Sequence, residues 1–553
     1  MRREYYLSWL WKNSHGIRIR VLFSGLMGGG RVICGLWFVY VSKDMVDIAT
    51  GVVRGSLSVC TVWLILLVVC GIVFKSIGEW IAALARVKVQ NVLRQQLFDR
   101  LLQSRWTGVA QFHSGDVQSR LGEDVRNVVS LLTGFLPSLA VSSTQLLVSF
   151  VFLLYLDSTL ALIAALGMVV FLLCGKMYAK QMRALTHRVL SVESAVQSLT
   201  QESVQYRVVV KTLELVSRIG DRLMKLQSEL YDRVKHYMHF SVFSRILLSS
   251  GFSGGYLLAF LWGCLRLQEG IITFGVMTAF LQLVGQMQRP IVELTRLVSV
   301  FATTLASVDR IIELEELAPE EQGTSILLDG YVGVRLNDVC FGYDNRLILE
   351  NFSYDFLPGS VTAVLGGTGT GKTTLLRLIL ALVCPQSGKV MLYNSQKIIE
   401  VSAFTRGNFA YVPQGNSLFS GTIRENLLLG NPNVGEQQMM AVLYAAAADF
   451  VNTLPLGLDT PCGEQGGGLS EGQAQRIAIA RSLLRPGAVL LLDEITSALD
   501  MATEKLLFTR LIRYASKKTI IFITHRKEIT KGFKQLVLQP ITATDSASQT
   551  MQY

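Results

Sequence analysis

Two unlike halves are expected in this multi-domain chain. An all-α transmembrane domain of six helices fills residues 1–315, and an α/β P-loop domain with a helical subdomain fills 316–540. Three observations predict this. Six stretches are apolar enough to cross a bilayer, a glycine-rich loop ending in Lys-Thr follows a buried strand, and a second apolar strand ends in two acids. A polar tail, 541–553, closes the sequence and reads as disordered or weakly attached.

The membrane half comes first. At 553 residues the chain is too long for one ordinary domain, and 50% hydrophobic against 17% charged residues is too apolar for a soluble protein of that size. A spanning helix needs about 20 mostly apolar residues. The stretches near 19–42, 57–80, 130–155, 159–180, 243–266 and 271–300 qualify. The first run lacks a small-residue cleavage site, so it reads as a retained helix rather than a signal peptide. Links after the second and fourth spans, about 81–129 and 181–242, are long, polar and expected to be helical throughout.

The net charge of +11 raises nucleic acid as a partner, but its placement argues otherwise. Arg2, Arg3, Lys12, Arg18 and Arg20 flank the first span, and Arg86, Lys88, Arg94, Arg183, Arg188 and Lys211 crowd the long links. The positive-inside rule then puts the N-terminus, both links and the second half in the cytoplasm of a multi-pass cell-membrane protein, with no nucleic-acid partner. The eight cysteines show no metal spacing and read as small hydrophobes. Few charges lie within spans. Lys75 and Glu79 read as snorkelling ends, whereas Arg31, Gln286 and Arg289 form a candidate polar stripe lining a substrate path on the first and sixth spans.

In the second half, Val361–Leu365 reads as a buried strand. The sequence Gly366, Gly367, Thr368, Gly369, Thr370, Gly371, Lys372, Thr373, Thr374 follows, and then an apolar helix. This is G-x-x-x-x-G-K-[ST] in its required strand–loop–helix setting. Backbone N–H groups of such a loop cradle phosphates, Lys372 reaches the β/γ-phosphates, and Thr373 ligates Mg²⁺. Val489–Leu492 ends in Asp493 and Glu494, placing one acid on the Mg²⁺ shell and the next as general base. A further buried strand, 519–524, ends in His525, a candidate for holding the water.

With these in order, the chain resembles the exporter-type ATP-binding cassette (ABC) half-transporters over essentially its whole length. The resemblance implies more roles: Tyr343 as the adenine-stacking aromatic, Gln414 as the Mg²⁺-sensing residue, and Ser470, Gly472 and Gln473 as a signature facing ATP on the opposite subunit. Residues 497–500 are similar to the dimer-contacting loop, and Gly463-Glu464 to a segment touching cytoplasmic loops. Stretches 114–124 and 202–213 sit where the two coupling regions would be. Glu471 departs from the family pattern, which most often has Gly, and hydrolysis is expected to survive if that side chain turns away from the nucleotide.

What the resemblance implies is ATP-driven export of a lipid, drug or peptide by alternating access, with ATP and Mg²⁺ as cofactors and hydrolysis at two composite dimer sites. A homodimer is the simplest reading, because loop and signature are both intact, and a heterodimer is the alternative. An ATP-gated channel or regulatory membrane ATPase on the same scaffold is the rival reading. Intact Glu494 and His525 argue against it, since a gate needs binding more than turnover.

Overall fold

The computed structural model describes residues 8–9, 16 and 18–540, except 113, 344–345, 464–467, 496–497 and 527. Side chains at 114, 169–177, 179–180, 295–296, 298–300 and 302–303 also lie outside it. The expectations for Arg2, Arg3, Lys12, Cys174, Glu464, Ser497 and the tail 541–553 therefore fall outside the described residues. The chain divides into two compact units, 1–102 with 113–316, and 103–112 with 317–553.

The first unit is helical. Its elements are α1 (Arg18–Ala49), α2 (Leu57–Leu102), α4, a continuous run from Ser114 through Leu136–Leu156, α5 (Ser158–Gln205), α6 (Arg207–Thr212), α7 (Val216–Gln268) and α8 (Phe274–Glu315). The four-residue α3 (Trp106–Val109) belongs with the second unit. Among the described residues four helices are long and apolar enough to cross a membrane: Arg18–Ala49, Leu57–Leu102, Gly115–Leu156 and Val216–Gln268. Ser158–Met168 is a shorter apolar piece. The expected sixth span is helical from Phe274, capped by the Thr273 hydroxyl accepting from Val276 N, but it is too polar to qualify by composition.

Its polar side chains have partners. Gln282 donates to Ser42 Oγ (3.1 Å), Gln286 to Gly35 O (3.2 Å) and Gln288 to Phe252 O (3.2 Å), so this stripe ties α8 to α1 and α7. Pro290 sits inside α8, where it has no N–H to offer the carbonyl of Gln286. Gln145 Nε2 of α4 donates to that same carbonyl at 3.3 Å. A helix exposed to hydrocarbon must satisfy each backbone group internally or through a neighbour, and Gln145 supplies the missing donor.

The long links depart from the expectation of unbroken helix. The first stops at Leu102, and the second breaks at Tyr206 and again after Thr212, where Glu214 takes a left-handed φ of +53°. The first break has a visible cause. Residues 103–105 leave the helix to bond the segment 318–322: Arg105 N donates to Ala318 O (3.0 Å), Glu320 N to Gln103 O (2.7 Å), and Gln322 Nε2 to Gln103 Oε1 (2.6 Å). Within the first unit, the buried Arg120 bonds Asp116 (2.8 Å), Glu313 (2.7 Å) and the Arg310 carbonyl (2.6 Å), and Arg310 pairs with the fully buried Asp124. A π-turn at Arg120–Asp124 brings both residues to this cluster.

The second unit carries a four-stranded antiparallel sheet of order β2-β1-β4-β5, from β1 (Gly333–Tyr343), β2 (Arg346–Phe356), β4 (Ser387–Tyr393) and β5 (Ile398–Glu400). A parallel five-stranded sheet of order β11-β3-β10-β9-β6 comprises β3 (Val361–Gly366), β6 (Phe409–Val412), β9 (Val489–Asp493), β10 (Thr519–Ile523) and β11 (Lys534–Leu538). A two-stranded β7 (Gly421–Thr422) and β8 (Pro461–Cys462) pair stands apart. Helices α9 (Lys372–Ile379), α10 (Ile423–Leu428), α11 (Glu436–Ala445), α12 (Glu471–Leu483) and α13 (Met501–Tyr514) complete it. Every residue of β9 and β10 is buried, as continuous apolar runs require when both sheet faces are covered.

Replacing Gln145 with Leu leaves the Gln286 carbonyl without a donor. The expected cost is about 1 kcal/mol, the scale of one interhelical hydrogen bond in a membrane. A fall in the thermal midpoint of purified protein in detergent, compared with the wild type, checks this.

Candidate ATP-hydrolysis site

Four adjacent parallel strands end on the same edge of the sheet, and each delivers one predicted residue. β3 runs into the glycine loop, β10 precedes His525, β9 ends in Asp493, and β6 precedes Gln414. Open parallel sheets bind ligands outside the carboxyl ends of their strands. The cleft there has a volume of about 490 Å³ and is lined by Thr368, Gly369, Gly371, Lys372, Thr373, Thr374, Gln414, Glu494, His525, Arg346 and Ile348.

The loop's shape depends on two glycines. Gly369 and Gly371 hold φ values of +81° and +93°, and a Cβ on Gly371 would lie 2.7 Å from the Ile348 side chain. Gly371 is the N-cap of α9, so the helix begins at Lys372 with its unpaired N–H groups beside the cleft. Thr370 Oγ1 closes the loop by donating to Gly367 O at 2.9 Å. Lys372 is buried, and its ammonium donates to the carbonyls of Gly366 (3.0 Å) and Gly367 (2.8 Å).

Glu494 is the junction of the constellation. Its Oε2 accepts from Gln414 Nε2 at 2.8 Å, and its Oε1 lies 2.7 Å from His525 Nε2. Glu494 also has a left-handed φ of +49°, which costs a non-glycine residue about 1 kcal/mol and is tolerated where surroundings impose it. Asp493 is different. It is buried, its Oδ1 has no hydrogen-bond partner, and burial first, then the Glu494 charge, pushes its carboxyl up to about 6. The Tyr411 hydroxyl bonds it, and burial beside this carboxylate pushes that phenol up to about 12.

An orphaned buried carboxylate oxygen suits a hard cation. Among the described residues no three His, Cys, Asp or Glu side chains cluster as a metal cage. The donor set of Asp493 and the Thr373 hydroxyl fits Mg²⁺, which keeps few protein ligands and completes its shell with phosphate and water.

Other predicted residues stand elsewhere. Tyr343 does not line the cleft; it is partly exposed, packs edge-on against Phe341 with centroids 5.0 Å apart, and accepts a hydrogen bond from Arg377 (3.0 Å). Ser470 is the exposed N-cap of α12. Its hydroxyl accepts from Gln473 N (3.2 Å), and the Gln473 side chain accepts from Ser470 N (2.9 Å). Gly472 is buried, and a Cβ there would meet the Ala498 carbonyl at 2.9 Å. Glu471 is exposed on the first turn. Arg31 lines a separate groove, Gln286 is bonded to Gly35, and Arg289 is exposed, so no single described cavity gathers the three. Sequence reading missed Tyr411, Arg346 and Ile348. Each sits on a strand whose pattern says only that it packs; the pairing of β6 with β9 sets Tyr411 against Asp493, and Arg346 and Ile348 reach the cleft from β2 of the antiparallel sheet.

A parallel-sheet phosphate-loop domain with an acid–amide–imidazole cluster, fused to a bundle of long apolar helices, defines a membrane-bound ATPase. Residues 349–497 match the ABC transporter family and residues 21–291 the ABC transporter transmembrane region. The chain belongs to the ABC transporter family, as a half-transporter of exporter type that couples ATP hydrolysis to transport across a membrane. It is 26% identical over 508 residues to the serine protease/ABC transporter B family protein tagA of Dictyostelium discoideum, covering 90% of this chain but 29% of that longer protein. It is 26% identical over 453 residues to the ATP-dependent lipid A-core flippase of Syntrophus aciditrophicus (strain SB), covering 81% of this chain and 75% of that one. A solved structure of a bacterial Atm1-family ABC exporter with ATP bound shares the fold, with a TM-score of 0.79 at 22% identity over 97% of this chain and 96% of that one.

The raised Asp493 carboxyl has a consequence for stability. The native state keeps a proton that the unfolded state, near its ordinary 3.8, gives up. Nucleotide-free protein therefore loses stability as pH climbs from about 4 to about 6, and Asp493→Asn removes that loss. Thermal midpoints of both proteins at pH 5 and pH 7.5, without nucleotide, check the sign: the variant gains on the wild type at the higher pH.

Proposed function

We propose that the chain works as a homodimer in the cell membrane, exporting a lipid, drug or peptide by alternating access, with the N-terminus and nucleotide domain in the cytoplasm. The observation that carries the hydrolytic half is the Glu494 carboxylate held by both Gln414 and His525 at the mouth of the phosphate-loop cleft. Six crossings are part of this reading; α8 crosses despite its polarity because its glutamines are bonded to neighbouring helices.

Each residue has a chemical task. Lys372 exchanges its loop carbonyls for β- and γ-phosphate oxygens, and the N–H groups at the start of α9 cradle the phosphates. Asp493 and Thr373 would hold Mg²⁺, which supplies charge stabilisation for the phosphates when bound. Glu494 takes a proton from the attacking water, and Gln414 with His525 fixes its orientation. Tyr343 is assigned to the adenine and Ser470, Gly472 and Gln473 to the ATP of the opposite subunit. Two copies are needed, since one loop without a facing signature is half a site. A capped α12 with Glu471 turned into solvent leaves the signature free to face a second copy. The lipid named for the Syntrophus relative supports a membrane-dissolved cargo.

Glu494→Gln keeps the shape and removes the base, so steady-state turnover of reconstituted protein should fall by about 10³. The same variant should retain ATP in a closed dimer on size exclusion. Undiminished turnover would sink the base assignment. Vesicles that hydrolyse ATP but pass ATP-gated current, with no vectorial movement of any candidate lipid, peptide or drug, would sink export.

A further inference from the structure

A groove of about 360 Å³ lies between α1 and α2, within the first unit. Arg31 and Lys75 line one end, and Phe38, Leu67 and Val68 the other. The two helices run antiparallel, so residues 31 to 38 of one and 75 to 67 of the other pass from charge to hydrocarbon in the same direction. Both helices are long and apolar enough to cross a membrane, and Arg31 and Lys75 fall within the stretches read as the first two spans, Lys75 towards the end of its own.

Glycines open the groove. Nearby the helices touch: a Cβ on Gly30 would lie 3.3 Å from the Phe74 ring, and one on Gly78 3.3 Å from Met27 Cβ. At Gly71, on the groove's floor, an added Cβ meets nothing within 4 Å. At Gly35 only the Gln286 amide comes near, at 3.9 Å. Val68 and Ile72 on the lip are exposed. The slot is therefore open, and no side chain among the described residues fills it.

Its charge is only partly balanced. Arg31 is exposed, and Lys75 lies 3.9 Å from Glu79, both of these side chains being more than half exposed. Glu79 pairs with Lys75 alone, so the two cations of the groove keep one net positive charge. Ionisable groups within spans are costly and are retained with a partner. We propose that the groove binds an anionic lipid taken sideways from the membrane, with its phosphate between Arg31 and Lys75 and an acyl chain along Phe38, Leu67 and Val68. Guanidinium grips phosphate through two parallel hydrogen bonds, and the ammonium adds a point charge. The shape and charge fit neither a free anion, which has no use for the apolar end, nor a neutral lipid.

Native mass spectrometry of the full-length protein in detergent, titrated with dioleoylphosphatidylglycerol or dioleoylphosphatidylcholine, tests this. The wild type should retain phosphatidylglycerol in preference to phosphatidylcholine. Arg31→Gln and Lys75→Gln should each reduce that preference about five-fold, the effect of one basic group on an anionic lipid, and Lys75→Arg should keep it. Gly71→Leu, which fills open space, should abolish retention while lipid-free ATP turnover stays at the wild-type value. Equal retention of the two lipids, or an unchanged preference in both glutamine variants, overturns the proposal. So does a shift from dimer to monomer in Gly71→Leu with retention intact, because a second copy then covers the groove. Retention is read without ATP, so its failure leaves the export reading standing, and loss of vectorial transport leaves the groove standing.

Discussion

The second half of the molecule depends on one constraint: β9 and β10 are buried on both faces and so can carry polar chemistry only at their ends. An acid in the middle of either strand would sit uncompensated in a dry sheet. Asp493, at the last position of β9, is already close to that limit, with an orphaned oxygen and a carboxyl raised by burial. Glu494, one residue further, escapes into the cleft by adopting a left-handed backbone and finds two partners. One step along the chain thus separates a buried carboxylate with an orphaned oxygen from one held by two partners in the cleft.

The membrane half meets a related constraint in a different solvent. Its helices cannot leave backbone groups unpaired in hydrocarbon, yet α8 contains a proline and a run of amides. Its amides bond Ser42 and the carbonyls of Gly35 and Phe252, and Gln145 covers the carbonyl that Pro290 leaves open. The same residues that weaken α8 as an isolated span join it to its neighbours. Gly35 takes part twice, as an acceptor for Gln286 and as the floor of the groove that Arg31 enters.

The break before α3 shows how strongly tertiary pairing overrides local preference. Residues 103–105 carry no breaker in sequence, and helix would continue past Leu102 on propensity alone. Bonds to 318–322 draw that segment away and join it to the nucleotide-binding unit. No periodicity in the link announces this, because the partner segment is more than two hundred residues away.

The ordered motifs made the phosphate loop, the paired acids and His525 legible from sequence, because each requires particular residue types at fixed spacing after an apolar strand. Hydropathy made the division into a membrane half and an α/β half legible for the same reason: burial and bilayer thickness both write themselves as uninterrupted apolar runs. Tertiary structure alone decided that Gln414 and His525 grip the same carboxylate, that Arg346 and Ile348 line the cleft, and that Tyr411 meets Asp493. Strand order in the parallel sheet sets the first and last of those meetings, and the second joins it to β2 of the other sheet. It is fixed by which strands pair across the sheet, a long-range choice that no local pattern of residues encodes.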